Sequence, residues 1–219
     1  HDLYLGNAFN IAGKEEGFRK SKFDVVVMNP PFGAKIDPYL LEETARTGIL
    51  PYGFKANSET LFAMLAYEKL KPDGRMAVLL PNSPLFSSNN GEMYFREKMV
   101  KEGALQAIIS LPRDTMQPFN GLLTNVLYAI RPAKSNAAKN GIWFYRPRYD
   151  GFSEGRNRHP IELNDLPLIQ EACRHLGYRN EVQVIPLVQN NKVGGYSIAS
   201  ENETLSYKVK EMGNDYLVD

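Results

Sequence analysis

The chain has 219 residues and is 43% hydrophobic, which is enough to bury one sizeable core and a small appendage. Its 26 lysines and arginines against 25 aspartates and glutamates leave a formal net charge of +1, which excludes the overall positive charge of a protein that binds DNA unaided. The lone Cys173 excludes an intrachain disulfide. Because the sequence has neither a basic-then-apolar leader nor an apolar run near the roughly 18 residues needed to cross a bilayer, we expect a cytoplasmic protein.

The first two predicted strands span residues 3–5 and 23–28 and are joined by a polar connection. The second strand is an almost uninterrupted apolar run, as in a central parallel strand that is covered on both faces. It stops at Asn29-Pro30-Pro31-Phe32, because consecutive prolines remove backbone donors and restrict the preceding backbone. Ligands bind at the carboxyl ends of strands in open α/β sheets, so this tetrapeptide is the candidate site.

The chemistry that suits this tetrapeptide is methylation of an exocyclic aromatic amine. The lone pair of such an amine is delocalised into the ring, which makes the nitrogen a poor nucleophile. If the side-chain oxygen of Asn29 and the carbonyl of Pro30 each accept one amine hydrogen, the nitrogen can become tetrahedral and attack. Phe32 offers a flat face on which an extruded base can stack.

The next elements continue an alternating α/β order. Residues 33–57 are predicted to be long and irregular and to lie over the substrate, with Gly33 and Lys35 as candidate substrate-binding residues. Ser58 is predicted to cap a helix over 59–71, which Pro72 and Gly74 end. A strand over 75–80, a loop over 83–90 and a helix over 92–101 follow.

Strands over 105–111 and 122–130 are separated by too few residues for a crossover helix, so we expect them to pair antiparallel. Residues 142–145 are expected to extend the sheet edge, and 164–176 to form a helix with Pro167 in its first turn. Periodicity is weak from residue 177 on.

The arginines at 146, 148, 156 and 158, with His159, either meet DNA phosphates or form a solvated loop. The histidines lack the spacing of metal ligands, so no metal site is predicted.

Asn29-Pro30-Pro31-Phe32 after an apolar strand resembles the catalytic motif of S-adenosylmethionine-dependent methyltransferases that act on adenine in DNA. The wider series resembles the modification (M) subunits of type I restriction systems and spans residues 3–167. Its other blocks are residues 70–75, 77–81, 108–112 and 149–153.

The resemblance implies the fold: α/β, a Rossmann-like methyltransferase sheet that is partial, lacks its first strands and ends in an antiparallel hairpin. Residues 1–150 would be the C-terminal part of the catalytic domain, and 151–219 a helical or irregular extension.

The resemblance also implies the site. Asn29, Pro30, Pro31 and Phe32 would be catalytic, and S-adenosylmethionine would be the cofactor. The members of each binding set are as follows: Asn7, Phe9 and Asn29 for the cofactor, and Phe32, Gly33, Lys35, Arg146 and Arg148 for the substrate. The partners would be double-stranded DNA with a flipped adenine and the specificity and restriction subunits of a type I complex.

Two departures from the family pattern concern the cofactor. Family members carry a glycine-rich turn and an acidic residue upstream of the proline motif, whereas residues 1–28 contain no Gly-x-Gly sequence. Asn7 stands where the family usually has aspartate, although an asparagine can still pair with an adenine edge. Two alternatives therefore stay open: a catalytically inactive remnant that only binds DNA or a subunit, and a methyltransferase of protein glutamine or RNA.

Overall fold

The computed structural model describes residues 6–9, 15–133, 142–176, 182–189, 192–200 and 204–208, and the predicted strand over 3–5 lies outside them. The helices are α1 (Glu16–Lys20), α2 (Pro38–Arg46), α3 (Ser58–Glu68), α4 (Ser83–Phe86), α5 (Asn90–Lys101) and α6 (Leu166–Leu176). The strands are β1 (Phe23–Met28), β2 (Leu70–Pro81), β3 (Leu105–Ser110), β4 (Thr124–Ile130), β5 (Trp143–Tyr145), β6 (Asp150–Phe152), β7 (Pro160–Asn164), β8 (Val182–Gln189), β9 (Lys192–Ser200) and β10 (Thr204–Lys208).

The main sheet has five strands in the order β1-β2-β4-β3-β5. β1 pairs with β2 in parallel, and β5 pairs in parallel with β3, which confirms the predicted edge extension. The Leu111 N–H donates to the Thr124 carbonyl over 2.8 Å, and the Ile130 N–H donates to the Ala104 carbonyl over 2.9 Å. Residue numbers rise along β3 as they fall along β4, so the predicted antiparallel pairing and the α/β fold class are confirmed.

The chain divides into two compact units, which are described separately: His1–Leu105 with Leu127–Lys139, and Gln106–Val126 with Asn140–Asp219. The predicted domain boundary at residue 150 stays a prediction. The core of the first unit is formed by α3, α5 and the alternating buried side chains of β2. Large side chains buried in it include Leu61, Met64, Tyr67, Met76, Leu80, Phe95 and Met99.

The predicted start and end of the helix after residue 57 are wrong. The cap is Asn57, whose side chain accepts from the Thr60 N–H, and the helix ends at Glu68. β2 begins already at Leu70, before Pro72 and Gly74. Phe23 pairs with Leu70 but Val25 pairs with Arg75, so the residues of β2 between these two partners bulge out of the ladder. The bulge contains Pro72 and Gly74, which is why the sequence predicts a helix end and a turn there.

The segment over 33–57, predicted to be irregular, contains helix α2. Asp37 caps it by accepting from the Tyr39 N–H over 2.9 Å, and Pro38 stands in the first turn, where a missing N–H costs nothing. The predicted loop over 83–90 likewise contains the short helix α4, and α5 begins at Asn90, earlier than predicted.

The second unit contains β5, the antiparallel pair β6–β7, helix α6 and an antiparallel sheet in the order β10-β9-β8. The predicted helix over 164–176 is found as α6 with Pro167 in its first turn, but it begins at Leu166, because Asn164 still belongs to β7. The sequence predicts a helical or irregular segment after residue 150, whereas the structure has strands there as well. Among the described residues, no helix has the length and apolar character needed to span a bilayer.

Candidate active site

The tetrapeptide Asn29-Pro30-Pro31-Phe32 follows directly on the last residue of β1. Met28 still pairs with Val78 of β2, so the backbone is fixed up to the first residue of the motif. Asn29 and Pro31 are exposed, Pro30 is buried and Phe32 is half-buried. The motif therefore presents Asn29 at the carboxyl edge of the sheet while Pro30 anchors the turn in the protein.

Gly33, the next residue, is held by a buried carboxylate. Its N–H donates to Oε1 of Glu59 over 2.6 Å, and the Ser58 hydroxyl donates to Oε2 of the same side chain over 2.8 Å. Gly33 has φ +65°, which lies in the left-handed region that residues other than glycine rarely adopt. Glu59 lies in the first turn of α3 and is only 4% exposed.

The N-terminus of α3 lies at the same edge of the sheet as the ends of β1 and β2. The Glu59 contact brings this helix start to the loop after β1. The side-chain amide of Asn57 donates to the hydroxyl of Ser83, in the segment after β2, over 2.7 Å. A second buried carboxylate, Glu92, accepts from the Asn57 N–H over 2.8 Å. Two buried acids thus brace one helix start, where the helix dipole favours negative charge.

Asn7 and Phe9, the predicted cofactor residues, lie next to α3 as well. The side-chain oxygen of Asn7 accepts from the Phe9 N–H over 3.0 Å. The Phe9 ring is 8% exposed and packs on Phe62, with 4.7 Å between the ring centroids. Phe62 lies three positions after Glu59, on the same side of α3, so this helix face contacts both Phe9 and Gly33.

Lys35, a predicted substrate residue, is exposed between Gly33 and helix α2. The structure brings residues 29–33 and residues 7–9 to one helix. Sequence reasoning missed Glu59 and Phe62. The only sequence signal for Glu59 is an acid in a first helical turn, which by itself indicates no more than a favourable helix dipole.

The predicted phosphate contacts lie in the second unit. Arg148 is exposed, with its guanidinium carbon 5.2 Å from the centroid of the Tyr149 ring. Its N–H donates to Oδ2 of the buried Asp165 over 2.7 Å, which fixes the backbone there. Arg146 is also exposed.

Arg158 is not available to phosphates. It forms an ion pair with Asp150, and the two side chains are 11% and 5% exposed. It also donates to the carbonyl of Thr115 over 3.2 Å. Of the arginine-rich stretch, Arg146, Arg148 and Arg156 remain exposed.

Comparison with known proteins gives consistent matches. The chain matches the family model of N-6 DNA Methylase over residues 2–207. It is 31% identical over 149 residues to the type I restriction enzyme EcoEI methylase subunit of Escherichia coli, covering 65% of this chain and 27% of that subunit. It is also 31% identical over 159 residues to the EcoKI methylase subunit of Escherichia coli strain K12, covering 70% of this chain and 28% of that subunit.

Among solved structures, the type I restriction-modification system methyltransferase subunit from Streptococcus thermophilus is similar, with a TM-score of 0.59 and 25% identity. That match covers 90% of this chain and 38% of the other. The chain spans about a quarter of the length of the curated relatives named above.

Proposed function

This chain belongs to the N-6 DNA methylase family, and we propose that it carries the catalytic motif of a type I modification subunit, which transfers a methyl group to the exocyclic amine of adenine in DNA. The observation that carries this proposal is the position of Asn29-Pro30-Pro31-Phe32. The tetrapeptide starts where β1 ends, at the carboxyl edge of a parallel strand pair, and the buried Glu59 holds the residue after it.

In the proposed reaction, the Asn29 side-chain oxygen and the Pro30 carbonyl accept the two hydrogens of the target amine. Both acceptors are uncharged, so they draw the nitrogen towards a tetrahedral shape without removing its proton beforehand. Exposure of Asn29 allows a base to reach it. The fixed φ of Pro30, together with the restriction that Pro31 puts on the ψ of Pro30, limits the directions that its carbonyl can take. The half-buried Phe32 ring stacks on a base that has left the duplex.

The family implies S-adenosylmethionine as the methyl donor, which supplies an electrophilic methyl group on a sulfonium when it is bound. We propose that Asn7 contacts its adenine. Asn7 is exposed, and its side-chain oxygen accepts from the Phe9 N–H. Its side-chain nitrogen therefore has an N–H with which to donate to a ring nitrogen of adenine. The Phe9 ring is already packed on Phe62, so Phe9 would hold Asn7 in place, while Asn29 would border the methyl group.

The duplex would be held locally, since the net charge of the chain is only +1. Arg146 and Arg148 are the proposed phosphate contacts, with Lys35 near the target strand. The specificity and restriction subunits of a type I complex are the proposed partners. DNA as substrate also implies a cytoplasmic location.

Replacing Asn29 in the complete protein that carries this chain tests the proposal. Asn29→Ala should lower kcat for adenine methylation by roughly 100-fold or more, because it removes an acceptor that acts on the amine in the transition state. Titration calorimetry should show donor binding within about twofold of wild type, because Asn29 would border only the methyl group of the donor while its main contact is with the target amine.

Asn89→Ala is the matched control. Asn89 is an exposed asparagine at the start of α5 whose side chain makes no capping hydrogen bond, so its loss should leave kcat unchanged. Methylation by Asn29→Ala within about tenfold of wild type would contradict the proposed role, since one lost acceptor should cost more than that. A wild-type protein that binds DNA and its subunits but never methylates adenine would favour the inactive alternative.

A further inference from the structure

Glu59 is a buried carboxylate that makes a long-range contact with the loop of the candidate active site. It is 4% exposed, and both of its oxygens are occupied: Oε1 by the Gly33 N–H and Oε2 by the Ser58 hydroxyl. A buried carboxylate is costly unless donors compensate for the lost water. One of the two compensating donors is the Gly33 N–H, 26 residues away in sequence, so the cost of burying Glu59 is offset in part by a contact with that loop.

The loop is short and is fixed at both of its ends. Before it, Met28 pairs with Val78 in the parallel ladder. After it, the Gly33 N–H is bound to Glu59. Two prolines between these points restrict the backbone further, so the Glu59 contact removes much of the freedom that remains.

The scaffold behind Glu59 is itself braced. Glu92, which is 0% exposed, accepts from the Asn57 N–H over 2.8 Å and from the Thr60 hydroxyl over 3.4 Å. The start of α5 also packs closely: a Cβ on Gly91 would lie 2.5 Å from the Lys55 carbonyl oxygen. The first turn of α3 therefore has little room to move, and Glu59 is attached to a rigid element.

We propose that Glu59 is a positioning residue for methyl transfer: its carboxylate fixes the backbone at Gly33 and so holds Asn29 and the Pro30 carbonyl in the geometry that the target amine requires. This inference rests on the function proposed above. Misplacement of reacting groups by about 1 Å can cost 100-fold in rate, so a lost loop anchor should be visible in kcat. Because Glu59 binds backbone rather than ligand, donor affinity should not change.

Two substitutions of Glu59 separate the anchor from the charge. Glu59→Ala removes the acceptor. Glu59→Gln keeps an oxygen for the Gly33 N–H, and its amide nitrogen can donate to the Ser58 hydroxyl, which can also accept. The control is Tyr67→Phe, at a position in the same helix as Glu59. It removes the hydrogen bond that the Tyr67 hydroxyl donates to Glu102 over 2.6 Å. Position 67 lies about 12 Å further along the helix axis, away from the loop.

Amide hydrogen exchange in the complete protein reads the anchor directly. Protection of the Gly33 amide should fall at least about tenfold in Glu59→Ala, because its hydrogen bond is lost. It should stay near the wild-type value in Glu59→Gln and Tyr67→Phe. In methylation assays, kcat should fall about tenfold or more in Glu59→Ala with the KM for the donor unchanged, and Glu59→Gln should restore it.

Unchanged Gly33 protection in Glu59→Ala would overturn the inference, and so would lost protection with normal kcat or a Glu59→Gln variant as impaired as Glu59→Ala. If the wild-type protein shows no adenine methylation, the proposed function fails separately. In that case loss of Gly33 protection in Glu59→Ala still supports the anchor, and retained protection overturns it.

Discussion

The residues of the candidate tetrapeptide differ in exposure, and the differences fit their proposed roles. Pro30 is buried and holds the turn, whereas Pro31 beside it is exposed and restricts the backbone without packing. Asn29 is exposed, as an acceptor for an incoming base must be. Phe32 is half-buried, which leaves part of its ring for stacking. One strand end thus places a buried proline, an exposed amide and a half-buried ring within consecutive residues, which fits the proposed anchor, acceptor and stacking platform.

Phe32→Ala should lower kcat less than Asn29→Ala does, because part of its effect is weaker binding of the base. The lost contact is base stacking, worth roughly 1–3 kcal/mol, so kcat/KM should fall by about 5- to 150-fold. Phe32→Tyr should restore most of the rate, because its ring offers a similar face.

A duplex with an abasic site at the target position is the control for that prediction. The wild-type protein and Phe32→Ala should bind it equally, because there is no base to stack on. A persistent difference on abasic DNA would show that Phe32 acts on the fold of the loop and not on the base.

At the scale of elements, the extent to which sequence predicts structure differs between β1 and β2. The bounds of β1 are predicted, because two consecutive prolines stop an apolar run at its end. The predicted cover on both faces of this strand is wrong: among the described strands β1 lies at the edge of its sheet, with Val25 and Val27 exposed. The start of β2 is not predicted, because Lys71-Pro72-Asp73-Gly74 has the composition of a turn yet lies in a bulged strand. Asp73, within this bulge, has φ 62°, a left-handed backbone conformation that residues other than glycine seldom adopt.

The position of the candidate tetrapeptide at a strand end could be predicted, but the contact that holds the residue after it could not. Asn29 and Pro30 are recognised from the residues that directly precede and follow them. The bond from Glu59 to the Gly33 N–H joins two segments that become neighbours only when α3 packs beside β1. A contact between residues so far apart in sequence leaves no pattern in the residues around either partner. Strand ends and helix ends, by contrast, are predicted from neighbouring residues.

In the second unit, Asp150 of β6 forms an ion pair with Arg158, which lies in the connection from β6 to β7. Arg158 also donates to the carbonyl of Thr115, in the segment between β3 and β4. Asp150 also accepts from the Thr115 hydroxyl over 2.6 Å. Asp150→Ala should destabilise this region by about 3–5 kcal/mol, because Arg158 would stay buried without its partner. Hydrogen exchange of residues 112–120 and 150–159 measures that local free energy.

The double variant Asp150→Ala/Arg158→Met should recover much of the loss, since it removes the unpaired charge and keeps an apolar side chain of similar length. A double variant as unstable as the sum of the single ones would show that the pair is not coupled. It would also show that the neighbouring hydrogen bonds hold this loop.

At the scale of the whole molecule, the open edge of the sheet has a physical consequence. Among the described strands, β1 pairs with β2 alone. Two of its valines, Val25 and Val27, are 54% and 77% exposed. An apolar run with an unpaired edge is a template for pairing with another chain. The edge of β1 is therefore available for pairing with further polypeptide or with a second copy of this chain.

We therefore predict that the 219-residue chain alone self-associates through β1. The double variant Val25→Lys/Val27→Lys should shift it towards the monomer in analytical ultracentrifugation, because charged side chains on an edge strand oppose pairing. Val100→Lys is the matched control: Val100 is 52% exposed on helix α5, so a lysine there adds charge without touching the edge. A wild-type chain that sediments as a stable monomer and unfolds cooperatively would contradict the prediction. That result would mean that an unpaired β1 edge with exposed valines is tolerated.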